Sequence, residues 1–308
     1  MLDLFFIHLP GANVKVFLPA LFFIGFSVGV ISSFLGIGGA WMVTPALNIM
    51  GFPMPYAIGT DIMHIAGKSC FATYQHAKMK NIDYKLALYM VIGTVIGIEI
   101  GSQIIMYLEK LLIVDSVVRW AYIIFLILIF IFIIMDLIKQ KYSNKGFDFY
   151  KKLQNLKIPP ITHFKTSDIT CTIWLPIAVG FITGILAGFL GIGGGLFRLP
   201  ALIYLVGCPV VIAVGTDIFE VLISGCYGAI SYSIKGRVDF FACFVMLIGA
   251  SIGAKIGANA TNKFSEKRIL LCFSIALLGC LLSLLLKQIS YNKFSLIIIF
   301  GSTGLLAC

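Results

Sequence analysis

The chain has 308 residues, 60% of them hydrophobic and only 12% charged, with a formal net charge of +10. A water-soluble domain carries roughly a quarter charged residues, so this composition excludes a soluble protein and places the chain in a membrane. The positive charge does not point to nucleic acid, because it is concentrated. Lys139, Lys141, Lys145, Lys151, Lys152, Lys157 and Lys165 share one polar stretch, with Asp148 alone opposing them before Asp168. That stretch is expected to be a cytoplasmic loop under the positive-inside rule, with anionic lipid headgroups as a secondary contact.

In chain order, the apolar windows predict spans at about 15–35, 57–77, 84–107 and 117–138, then 173–190, 211–234, 240–261 and 268–287. Most reach the roughly 20 residues needed to cross a bilayer core. Met1 to Pro10 lacks the positive n-region of a cleavable signal, so the first span is expected to stay as an anchor. Leu296 to Cys308 is a short ninth span or an interfacial tail. The expected domains are a first transmembrane repeat at 1–138, a basic cytoplasmic linker at 139–172, a second repeat at 173–288 and a hydrophobic tail at 289–308. The eight cysteines form no CxxC pair and fall mostly in apolar segments, which suits small buried hydrophobes better than disulfides or a metal site.

The two halves share a pattern. Phe34-Leu-Gly-Ile-Gly-Gly-Ala40 continues to Pro45-Ala-Leu47 and Ala57-Ile-Gly-Thr-Asp61; Phe189-Leu-Gly-Ile-Gly-Gly-Gly195 continues to Pro200-Ala-Leu202 and Ala213-Val-Gly-Thr-Asp217. An internal repeat in a membrane protein points to a transporter with its substrate held where the repeats meet. Between the first two spans of each half lies an apolar stretch, 40–52 and 195–208, too short to cross. If each stretch enters and turns back, the basic loops Lys78–Lys85 and Lys235–Arg237 share the cytoplasmic side with the central lysines. This arrangement predicts an all-α polytopic protein of two parallel four-span repeats with re-entrant glycine-rich segments. Glycines four apart (Gly25, Gly29; Gly180, Gly184, Gly188; Gly93, Gly97, Gly101; Gly249, Gly253, Gly257) predict close helix packing.

The doubled pattern, with Asp83 and Asp239 after the basic loops, resembles the TauE/SafE sulfite exporter family from about residue 15 to 287. The resemblance implies a multi-span permease of the cell (inner) membrane for sulfite, sulfonates or similar sulfur-containing anions, with export as the family's direction. One departure is Asp61 and Asp217, where the family pattern more often has serine.

The residues themselves suggest a site. Short helices opening after Gly36, Gly38 and Gly39, and after Gly191, Gly193, Gly194 and Gly195, would aim free amides at a cavity, and such amides hold oxyanions. A sharp turn is the alternative role of these glycines. Arg198 and Lys68 are the cations expected to draw in the anion, with Thr60 and Thr216 beside them. Thr60-Asp61 and Thr216-Asp217 are expected at helix starts, where an N-cap is the structural alternative. Asp61, His64, Asp217 and Glu220 are the expected proton-coupling groups, since intramembrane carboxylates are functional by default. Glu99 aligns with Lys255 across the repeat and predicts a structural ion pair. No cofactor or metal is expected. A passive anion channel is the alternative function, and a membrane-embedded enzyme is a weaker one, since HExxH, GxSxG and Cys/His clusters are lacking.

Overall fold

A β-hairpin is followed by five helices, and then the whole series recurs. In the computed structural model, which describes residues 6–35, 40–142, 159–261 and 266–288, strands β1 (Phe6–Leu9) and β2 (Val14–Phe17) pair antiparallel and lead into α1 (Leu18–Leu35). A 3-10 turn at Ala40–Met42 opens the short α2 (Val43–Ile49); α3 (Met54–Lys78), α4 (Tyr84–Lys110) and α5 (Val114–Tyr142) complete the first copy. The second copy runs through β3 (Ile161–Phe164), β4 (Ile169–Thr172), α6 (Trp174–Leu190), α7 (Gly195–Ala201), α8 (Val210–Ile234), α9 (Phe240–Thr261) and α10 (Glu266–Gln288). α7 is prolonged by a wide turn at Leu202–Val206. Helices five apart in this numbering are therefore equivalents.

The hairpins correct the all-α expectation. Asn13 and Asp168, both at φ 52°, make the same tight turn in each copy, a conformation that Asn and Asp tolerate best among non-glycine residues. Residues 161–172 are therefore not plain linker. Phe164, Ile169 and Cys171 pack into a core with Leu86, Met90, Val179, Leu202 and Val206. Burial there pushes the Cys171 thiol up to about 11, so it behaves as the neutral small hydrophobe expected of it. The linker residues 143–158 and the tail 289–308 lie outside the described residues.

By length and composition, three of the described helices suffice to cross a membrane: Tyr84–Lys110, the Val114–Ile131 part of α5, and Val210–Ile234. Leu18–Ser32, Trp174–Leu190, Phe240–Ile256 and Leu277–Gln288 are shorter apolar helices. α3 is as long as α8, 25 residues each, but is not apolar enough, because it carries Asp61, His64 and Lys68.

The chain forms two compact units, one from residues 1–61, 107–144 and 237–308, the other from 62–106 and 145–236. Each draws helices from both copies. In the first unit α1 lies parallel to α9: a Cβ on Gly25 would overlap the Met246 carbonyl, and one on Gly29 the Ala250 carbonyl. In the second unit α6 lies parallel to α4 in the same register, with Gly180 on Met90, Gly184 on Thr94 and Gly188 on Ile98. The glycines four apart thus build two equivalent backbone-to-backbone seams.

Helix direction overturns the expectation of parallel repeats, in which equivalent helices would share a direction. Within the second unit α3 and α8 run antiparallel, with Thr73 beside the Ile218 carbonyl, Ala66 against Gly225 and Ile62 against Gly228. Within the first unit α5 and α10 do the same, since Arg119 near the start of α5 donates to Gln288 at the end of α10. The physical reason lies in two charges. Lys235 and Arg237 look like bare loop cations in the sequence, but Lys235 Nζ lies 2.9 Å from Glu99 Oε1 and Arg237 Nε 3.0 Å from Glu109 Oε2. Neutralised cations exert little pull toward the cytoplasmic side, so the end of α8 need not lie there.

Candidate functional site

The second glycine motif shapes its site by turning sharply. Gly191, Gly193 and Gly194 all have positive φ, at 78°, 64° and 75°, which a side chain would strain. α6 ends at Gly191 and α7 begins at Gly195, with the Phe197 and Arg198 amides bonding back to the Gly194 carbonyl. The missing side chains also make room: a Cβ on Gly194 would strike the Arg198 guanidinium, and one on Gly195 would sit 3.0 Å from Asp217 Oδ2. In the first copy, Gly36, Gly38 and Gly39 lie outside the described residues. The short helix expected after them starts as a 3-10 turn at Ala40–Met42 and becomes α-helical at Val43.

Arg198 is completely buried and its guanidinium is engaged on every side. Nη1 pairs with Glu220 Oε2, Nε lies 3.5 Å from Asp217 Oδ1 and 3.3 Å from Thr183 Oγ1, and Nη2 donates to the Gly193 carbonyl at 2.9 Å. Glu220 also accepts from Ser224 at 3.3 Å. One cation thus faces two carboxylates, all within the second unit. Desolvating such ions costs several kcal/mol each, which their mutual attraction and hydrogen bonds must offset. Glu220 Oε1 is buried and accepts no hydrogen bond.

The first copy has Met42 and Val43 at the place equivalent to Arg198. In that copy the buried Asp61 Oδ2 accepts from Thr44, from the amide at 3.0 Å and the hydroxyl at 2.8 Å. His64 is fully buried on α3, and Lys68, one turn further on, is half-buried.

Thr60 and Thr216 have a packing role. Thr216 Oγ1 accepts from the Asp83 amide and Thr60 Oγ1 from the Asp239 amide, each at 2.9 Å. Neither Thr-Asp pair opens a helix, because α3 starts at Met54 and α8 at Val210. The N-caps are Asp83 and Asp239, whose Oδ1 atoms accept from Leu86 and Ala242. Asp83 Oδ2 additionally holds Ser167 in the β3–β4 turn.

Glu99 differs most from expectation. Its partner is Lys235, not Lys255, and Ser231, Tyr227 and Gln103 also donate to its carboxylate. Sequence alignment of the repeats could not find this cluster, since it joins positions that are not equivalent. The hairpins did leave a signal, because His8 and His163 keep the 155-residue offset of the glycine motif.

A sequence profile of the family described as sulfite exporter TauE/SafE matches residues 21–284. The probable membrane transporter protein YunE of Bacillus subtilis (strain 168) is 29% identical over 267 residues, covering 83% of this chain and 94% of its own length. A probable membrane transporter protein of Methanocaldococcus jannaschii is 28% identical over 280 residues, covering 85% and 94%. The probable membrane transporter protein YfcA of Escherichia coli (strain K12) is 25% identical over 255 residues, covering 82% and 83%. No solved structure matches the chain.

Proposed function

Because the chain belongs to the sulfite exporter TauE/SafE family, we propose that it is a proton-coupled permease for small sulfur-containing anions such as sulfite or a sulfonate. The observation that carries this reading is the buried Arg198–Asp217–Glu220 group. With both carboxylates ionised the group is net negative, and an anion about 4 Å from one uncompensated charge meets a repulsion of roughly 4 kcal/mol at an effective dielectric of 20. Protonating Asp217 and Glu220 releases the guanidinium from its internal partners and leaves a net positive group. An oxyanion then takes the place of the carboxylates on Arg198 in a bidentate contact. Gly191, Gly193, Gly194 and Gly195 supply the tight turn beside it. Asp61 and His64 are kept as further proton carriers, and Lys68 as an electrostatic attractant. Release of anion and protons on the other face completes a cycle of alternating access, making the protein a carrier in the cell (inner) membrane and not an enzyme.

The antiparallel equivalents support inverted repeats. In the second unit Lys78, Lys80, Lys85 and Lys165 share the end where Asp83 grips the hairpin, while the neutralised Lys235 lies at the opposite end. The lysine-bearing end is the cytoplasmic one. An epitope inserted after Lys80 should therefore be reached only after the inner membrane is opened, and one after Gly236 in spheroplasts. Both epitopes on one face would remove the inverted arrangement. For function, proteoliposomes of the full chain should accumulate sulfite against its gradient when a pH gradient is imposed. Flux that only dissipates the sulfite gradient would make the protein a passive channel.

A further inference from the structure

Outside the Arg198 group, the described residues of the second unit hold one more ionisable cluster within a helix apolar enough to span. Glu99, on α4, accepts at Oε2 from Ser231 at 2.7 Å and Tyr227 at 3.2 Å, and at Oε1 from Lys235 at 2.9 Å and Gln103 at 3.2 Å. Lys235 Nζ also donates to Ser102 and Ser231, each at 2.7 Å. The two charged side chains keep 21% and 32% of their surface open, for Lys235 and Glu99 respectively, whereas Glu220 has none. Tyr227 and Ser231 lie on α8 and Lys235 is its C-cap, in line with the Arg198 group. Glu220, Ser224, Tyr227, Ser231 and Lys235 follow one another at spacings of four, three, four and four, which is a single stripe along one helix face. A polar stripe on a helix otherwise apolar enough to span has no use in packing against lipid.

The stripe is not part of the repeat. At the equivalent positions of α3 stand His64, Lys68, Phe71, Gln75 and Met79. Its inner end is Glu220, whose Oε1 is buried without a hydrogen-bond donor. We propose that Glu99 takes up the coupling proton at the partly open end and that the hydroxyls of Tyr227, Ser231 and Ser224 pass it to the Glu220 carboxylate, to whose Oε2 Ser224 donates. This rests on the proton-coupled reading above and adds its route. A proton from water joins the Glu99 carboxylate, which frees Lys235 to its two serine partners. Passing along the hydroxyls, it leaves Glu99 ionised again and arrives on Glu220, whose charge toward Arg198 is thereby lost. Tyr227 and Ser224 stand three residues apart on the same face of α8, about 4.5 Å along its axis. The groups bearing on this stripe are Arg198 from α7, Asp217, Cys226 and Lys235 on α8 itself, Glu99 from α4, and His64, Lys68 and Cys70 on the α3 segment packed against α8. Among these groups Glu99 is the carboxylate with the most open side chain, 32% exposed against 12% for Asp217.

The test uses proteoliposomes of the full chain with a trapped pH dye, so that sulfite and proton entry are read together. Glu99→Gln is expected to lower the ratio of proton to sulfite entry by about tenfold and to flatten the acid stimulation of sulfite influx, in line with the loss of a positioned proton-transfer group. Glu99→Asp should restore both. Tyr227→Phe with Ser231→Ala keeps every charge and should slow proton entry in the same sense; it decides the matter if Glu99→Gln does not reach the membrane. A wild-type pH profile and ratio in these variants would overturn the route while leaving coupling intact. Equal loss of sulfite exchange and net flux with an unchanged pH profile makes Glu99 structural and also overturns it. Wild-type protein that moves sulfite without protons overturns the coupled reading and the route together.

Discussion

Arg198→Ala is expected to abolish anion transport and to lower the amount of folded protein in the membrane. Two carboxylates, Asp217 and Glu220, depend on this one guanidinium. Removing one partner of a buried ion pair costs about 3–5 kcal/mol, because the remaining charge is stranded. Against a total stability of roughly 5–15 kcal/mol, that loss alone reduces abundance. Transport and folding must therefore be separated. The triple variant Arg198→Met, Asp217→Asn, Glu220→Gln removes all three charges and keeps similar volumes, so its abundance should return toward wild type while sulfite flux stays absent. Asp217→Asn with Glu220→Gln alone keeps the cation. This variant should bind and exchange sulfite but lose pH-driven accumulation, since the groups that exchange protons for the anion are gone. The checks are membrane abundance by immunoblot, sulfite exchange, and accumulation under an imposed pH gradient. Wild-type flux in the triple variant would remove Arg198 from the anion's path, and unchanged pH dependence in the double variant would remove Asp217 and Glu220 from coupling.

What could be read from the sequence was whatever is written in local repetition. The glycine motifs, the apolar helices and the short helices after the motifs all follow from residues near one another in the chain, and Gly191, Gly193 and Gly194 do hold the left-handed backbone that only glycine adopts freely. Repeat direction is a different kind of fact. It turned on whether Lys235 and Arg237 act as free charges, and that depends on Glu99 and Glu109, more than 120 residues away. The same limit applies to the site. Arg198 was visible because it follows the motif, but its two carboxylate partners lie on another helix. Conversely, Thr60 and Thr216 sit beside the suspected acids, yet their hydroxyl oxygens receive the amides of Asp239 and Asp83. A residue's neighbours in sequence do not reveal which helix it docks.

Gly184→Leu is expected to unfold the second unit. The Gly184 Cα faces the backbone of Thr94, and a Cβ there would lie 2.5 Å from the carbonyl oxygen and 2.7 Å from Cα. Backbone atoms cannot rotate aside, so α6 must move away from α4 along the whole seam, losing the contacts at Gly180 and Gly188 as well. Overpacking a well-formed core costs about 1–3 kcal/mol even where side chains yield, and here none can. The ratio of folded to unfolded protein in mild detergent should fall about tenfold or more, the factor that 1.4 kcal/mol represents. Ile182→Leu is the control: Ile182 is on the same helix but 60% exposed, and should change nothing measurable. Gly29→Leu should reproduce the defect in the first unit, because Gly29 meets the Ala250 backbone as Gly184 meets Thr94. Size-exclusion profiles and thermal melts of the three variants compare these effects directly. A stable Gly184→Leu protein would mean the seam can open without loss. Since each seam joins one helix from each copy, the repeat is needed twice over for folding: neither copy contains a complete seam of its own.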